Sequence, residues 1–111
     1  MKSLAKEGWF WQRVTGAVLV IGMAVHILVL PLSGRLITFE SVYSRLSRAG
    51  WVFFDFILLS ACIYHGFNGL WAVIADFNPK YSVRKAAGWF VFLIGGVSLF
   101  YGILALRALA K

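Results

Sequence analysis

Cysteine and acidic residues are both scarce in this sequence. It holds one cysteine and four aspartates or glutamates in 111 residues. A lone Cys62 excludes an intrachain disulfide and any cysteine-ligated cluster. Inside an apolar run, it reads as a small buried hydrophobe. Charge of either sign is thin, at 14% of residues, against 61% hydrophobic and 17% aromatic. A soluble domain of this size carries far more charge on its surface. Also missing are a glycine-rich phosphate loop, a flavin fingerprint, a zinc site, a Ser-His-Asp set, internal repeats and low-complexity segments. What remains is the composition of an integral membrane protein.

Three apolar runs carry the chain, at positions 14–32 ("VTGAVLVIGMAVHILVLPL"), 51–75 and 86–106. Each is long enough to form a helix that crosses ~30 Å of hydrocarbon at 1.5 Å per residue. Backbone groups in lipid must be bonded within the segment, so even the strand-like "WVFF" reads as helix. The expected fold is all-α, one membrane domain over residues 1–111, with spanning helices at about 12–33, 51–77 and 86–108. Lys2 and Lys6 resemble the basic start of a signal peptide, but no small-x-small cleavage site follows, so the first run reads as a retained span. Leu36, Phe39, Tyr43 and Leu46 recur at helical spacing among Arg35, Glu40, Arg45 and Arg48. They predict a short interfacial helix between the first two spans. Asn78-Pro79 stops the second spanning helix.

The 11 lysines and arginines give a net charge of +7. They fall between the apolar runs and do not interleave with aromatics as a nucleic-acid groove requires. Anionic lipid headgroups, propionates or a partner surface suit them better. Lys2, Lys6, Arg13, Lys80, Arg84 and Lys85 share one membrane side; Arg35, Arg45, Arg48, Arg107 and Lys111 share the other. Six against five slightly favours a cytoplasmic N-terminus in a prokaryotic-type inner (cell) membrane. Trp9, Trp11, Trp51 and Trp89 sit near run ends, as interfacial aromatics do.

Burying an ionisable group in a spanning helix costs on the order of 3 kcal/mol, so such groups usually have a reason. His26 lies in the first helix and His65 in the second, with Asp55 and Asp76 towards the two ends of the second. A neutral imidazole is a strong iron ligand, and a membrane b-type haem takes two from different helices. Gly22 precedes His26 by four residues and Gly69 follows His65 by four, on the same helix faces. Each lowers the wall beside its imidazole, for a macrocycle or for a neighbouring helix. The histidines therefore read either as haem ligands or as hydrogen-bonded packing residues. Asp55 reads as a structural charge near the far interface, facing Arg107.

The stretch "YHGFNGLWAVIAD", residues 64–76, carries a resemblance. It is similar to the second-helix motif of the membrane-anchor subunits of succinate dehydrogenase and fumarate reductase. His65, Gly69 and Asp76 keep that family's spacing, and Tyr64, His65, Asn68 and Gly69 are most like its cytochrome b subunit. "WQRVTGAVLV", residues 11–20, resembles the family's first-helix opening. His26 lies eleven residues after Thr15, the spacing of the branch that holds two haems. The resemblance implies haem b ligated by His65 and His26, two haems shared with a second anchor subunit or, failing that, one. It implies a quinone site near Arg13 and Asp76, and soluble flavoprotein and iron–sulfur subunits as partners. Succinate itself would be oxidised by those partners. Taken as residues alone, Arg13 and Asp76 also fit plain interfacial groups.

Two positions depart from the family pattern. Trp9 stands where many ubiquinone-reducing members carry Ser, and Phe77 where another anchor carries Tyr, so two hydroxyls are missing. If Arg13 and Asp76 mark one membrane face, His26 lies about 20 Å of helix from Arg13, and His65 about 17 Å from Asp76. That places both imidazoles at similar depths. The alternative function is a small membrane transporter or a scaffold without haem. A proton-coupled transporter would carry an acid in mid-helix, where this chain has histidines.

Overall fold

The structure is a computed structural model describing residues 2–110, with side chains from residue 6 onward. The side chain of Lys2 and all of Lys111, both counted among the bases above, lie outside the described residues. Four helices and no strand are present among them: α1 (Lys2–Leu32), α2 (Phe39–Leu46), α3 (Ala49–Asp76) and α4 (Tyr81–Leu109). Three are long and apolar enough to cross a membrane, over Lys6–Leu32, Ala49–Asp76 and Tyr81–Leu109. The protein is thus all-helical and built for multiple membrane passes.

The helix boundaries follow local chemistry. α1 ends just past Pro31, and Gly34 takes a φ of +72° in the turn, where a residue without Cβ is unstrained. Thr38 caps α2: its hydroxyl accepts from the Ser41 backbone N–H, and the Ser41 hydroxyl accepts from the Thr38 N–H. The short helix expected from spacing is therefore present, although Leu36 lies outside it. α3 stops where the Asn78 N–H turns back to the Ala75 carbonyl at 2.9 Å and Asn78 adopts a φ of +46° before Pro79.

α1 begins well before the expected start near residue 12, and α4 begins at Tyr81 rather than near residue 86. The apolar runs mark only the part of each helix within hydrocarbon. The flanking turns hold charged and aromatic residues that suit the headgroup zone and still favour helix.

α3 is the central helix. α1 and α4 each pack along it, and α2 leans on its start. The particle measures 53 × 25 × 20 Å, its long axis near the thickness of a bilayer with headgroups (~40–45 Å). Only Leu58, Ala61 and Val91 form a buried apolar core among the described side chains. The large side chains left outside, such as Ile21, Phe53 and Phe92, suit lipid or a partner helix. Cys62 is among the exposed residues, which corrects its reading as a buried hydrophobe.

Glycines bring the helices together, as membrane interfaces require. A Cβ at Gly102 would stand 2.5 Å from Leu59 Cδ2 and 3.2 Å from its Cγ. A Cβ at Gly96 would meet nothing within 4 Å. Gly102→Ala is therefore expected to push α4 off α3 and destabilise the packing by about 1–3 kcal/mol. Thermal unfolding in detergent should show a lowered midpoint for Gly102→Ala and none for Gly96→Ala.

Candidate functional site

α1 and α3 run antiparallel, and polar side chains join them at two levels. At the first level, the Asn68 amide donates to the Gly8 carbonyl at 3.2 Å and to Gln12 Oε1 at 2.7 Å. Gln12 Nε2 donates to the His65 carbonyl at 3.1 Å. The His65 ring faces α1, with Nδ1 3.1 Å from the Gln12 carbonyl oxygen and 3.2 Å from Thr15 Oγ1. The Thr15 hydroxyl donates its own proton to the Trp11 carbonyl at 2.7 Å, so its oxygen accepts from Nδ1. Both partners accept, so Nδ1 carries the proton and Nε2 keeps its lone pair. Nε2 lies 3.5 Å from the Gln12 amide nitrogen, the outer limit of a hydrogen bond.

At the second level, His26 Nδ1 lies 2.9 Å from Asp55 Oδ1. Asp55 is only 8% exposed. A carboxylate accepts, so His26 also holds its proton on Nδ1. Asp55 thus faces His26, which corrects its expected pairing with Arg107. A buried carboxylate needs a partner within reach, and the antiparallel crossing brings an imidazole to it.

The two imidazoles do not share one depth. Thr15 faces His65 while His26 faces Asp55. On both helices the two levels are about three turns apart, about 15–16 Å along the axes. The expectation of similar depths failed because Arg13 does not mark the end of α1. It lies about three turns inside a helix that starts at Lys2, whereas Asp76 is the last residue of α3.

The glycines beside the histidines serve helix approach. A Cβ at Gly22 would stand 2.6 Å from Leu58 Cδ1, and one at Gly69 would stand 3.1 Å from Gln12 Nε2. Gly16, not singled out from the sequence, lies under the His65 ring, its Cβ position 3.2 Å from Cε1. Gln12 was also missed. Its signal was an amide three residues before Thr15, on the same helix face.

Arg13 and Asp76 line one cavity of about 670 Å³, with Trp9, Gln12, Asn68 and Trp71, and Arg84 reaching in from α4. The Arg13 guanidinium lies 3.8 Å over the Trp9 ring, which turns it back towards the mouth. Trp9, the departure from the family's serine, therefore holds the arginine in place. Asp76 is exposed, and no ion pair joins it to Lys80 or Arg84 among the described residues. Phe77, the second departure, is 82% exposed just past the helix end.

No three His, Cys, Asp or Glu side chains converge among the described residues. Each histidine stands as a single nitrogen donor whose other nitrogen is bonded to an acceptor. Metal-ligating histidines have this arrangement, which fixes the tautomer and raises the basicity of the free nitrogen. The donor chemistry of a single imidazole nitrogen would fit ligation of haem iron.

These features define a three-span membrane subunit with two histidine levels along one helix pair and a polar cavity at one mouth. The chain belongs to the family described as succinate dehydrogenase/fumarate reductase transmembrane subunit, which it matches over residues 2–105. It is similar to the succinate dehydrogenase hydrophobic membrane anchor subunit of Thermoplasma acidophilum, 32% identical over 100 residues that cover 87% of this chain and 81% of that protein. It is also similar to the subunit of the same name from Archaeoglobus fulgidus, 25% identical over 96 residues that cover 86% and 82%.

Proposed function

We propose that this chain is a haem b-binding membrane anchor of a succinate:quinone or quinol:fumarate oxidoreductase. The observation that carries the reading is the matched state of the two imidazoles. His65 and His26 each have Nδ1 against an acceptor on the neighbouring helix, which leaves Nε2 as the ligating nitrogen of a neutral ring. Each would hold the iron of one haem, and a second anchor subunit would supply the other ligand. Two levels about 15 Å apart suit two haems rather than one held by both histidines. A bound haem supplies one-electron transfer; the residues of this chain fix its ligand geometry and the polarity around it.

The cavity at Arg13 and Asp76 is the quinone site of this reading. Reduction of a quinone builds negative charge on its oxygens, and the Arg13 guanidinium is placed to stabilise it. Asp76 at the open mouth offers a carboxylate for handing on the protons that reduction consumes. Gln12 and Asn68 add amide groups where the two expected hydroxyls are missing. Lys80 in the turn, with Arg84 and Lys85 at the start of α4, gives a basic face at the same end. There the iron–sulfur and flavoprotein subunits dock, on the cytoplasmic side of the inner membrane. Membrane lipid and quinone reach the cavity from the side, and nucleic acid has no place here.

Arg13→Ala and Asp76→Asn are expected to lower quinone-linked turnover by roughly tenfold or more, the usual scale for losing acid–base help. Haem content and turnover with an artificial acceptor at the soluble subunits should stay near normal. Full quinone activity in both variants would remove this cavity from the quinone reaction.

A further inference from the structure

α2 contains a second buried charge. Arg45 is only 9% exposed, and its Nε and Nη1 are buried without a hydrogen-bond partner. The guanidinium lies 4.7 Å from the centre of the Trp51 ring. That contact leaves Nε and Nη1 unpaired. Buried N–H groups on a cation are almost always bonded, and a guanidinium fork matches a carboxylate in two parallel bonds.

The position of Arg45 indicates which carboxylate. Trp51 precedes Asp55 by four residues, on the same face of α3, and Asp55 holds His26. Arg45, Trp51, Asp55 and His26 therefore form a line, with Arg45 about one turn (~6 Å) nearer the far membrane face than the histidine. We propose that Arg45 receives a propionate carboxylate of the haem whose iron His26 ligates. This rests on the haem reading above. Both propionates leave one edge of a haem, so an edge turned towards the nearer membrane face reaches the level of Arg45. The buried Asp55 carboxylate would repel them there, and Arg45 supplies the compensating charge. A lipid phosphate would meet an arginine at the exposed surface, whereas Nε and Nη1 of Arg45 are buried.

The test uses the whole complex in detergent, with haem loss followed as transfer to excess apomyoglobin. Arg45→Gln is expected to speed loss of one of two haems at least tenfold and to leave the other at its wild-type rate. Arg45→Lys, which keeps charge and loses the fork, should fall between. The haem affected must be the one removed by His26→Gln, a variant whose amide can still donate to Asp55. In the His26→Gln background, Arg45→Gln should change nothing further. Wild-type loss of both haems in Arg45→Gln and Arg45→Lys would overturn the proposal, and so would weakened subunit or lipid association with haem retained. Equal loosening of both haems would mark Arg45 as structural only and would overturn it too. If His26→Gln removes no haem, the haem reading at His26 fails, and this proposal with it.

Discussion

His65→Ala is expected to remove one b-type haem from the assembled complex while all three spans still insert. The ring is set for ligation by two acceptors on α1, the Gln12 carbonyl at 3.1 Å and Thr15 Oγ1 at 3.2 Å. No other imidazole of the chain lies near that level, because His26 is about 15 Å away along the helix axis. Insertion depends on the apolar spans, which the substitution leaves intact. The α1–α3 contact survives through the Asn68–Gln12 bond and the Gly22–Leu58 approach. The reduced-minus-oxidised absorbance should fall by about half if haem is two per complex. Undiminished haem would leave His65 as a packing residue bonded to Gln12 and Thr15.

The second large effect is expected at the other level. His26→Gln should remove the remaining haem, the one farther from the basic turn. Glutamine is the informative choice here. Alanine would leave the Asp55 carboxylate buried and unpaired, a loss of about 3–5 kcal/mol that mixes folding with ligation. Asp55→Asn provides the companion measurement. It keeps the shape and removes the charge behind the imidazole, and such outer-shell changes cost metal sites roughly 10–100-fold in affinity. Haem retention measured in both variants should fall at this level and hold at His65. A spectrally silent His26→Gln would leave His26 as the partner of Asp55 and nothing more.

Much of the architecture was legible because hydrocarbon imposes it. Three apolar runs long enough for the bilayer core gave three spans, Asn78-Pro79 gave the end of α3, and the spacing of Phe39, Tyr43 and Leu46 gave α2. Helix ends outside hydrocarbon were not legible. Positions 2–13 mix charges with aromatics and show no apolar stripe, so the added turns of α1 were invisible, and the depth comparison built on Arg13 failed with them.

The His65 level was read through a motif contained within one helix. The His26–Asp55 bond depends on how two helices slide past each other, and spacing along one chain does not specify that. The same gap hid Arg45, which read as a solvated base among others until α2 was seen to lay it on Trp51. Gly22 and Gly69 could admit either a macrocycle or a helix, and the helix takes the space.

The most direct measurement is the haem b content of the complex, purified with its membrane partners and quantified as the pyridine haemochrome after a reduced-minus-oxidised spectrum. Two haems per copy of this chain is the expected result, falling to one in His65→Ala. A pure, active complex with no b-type haem would contradict the central claim.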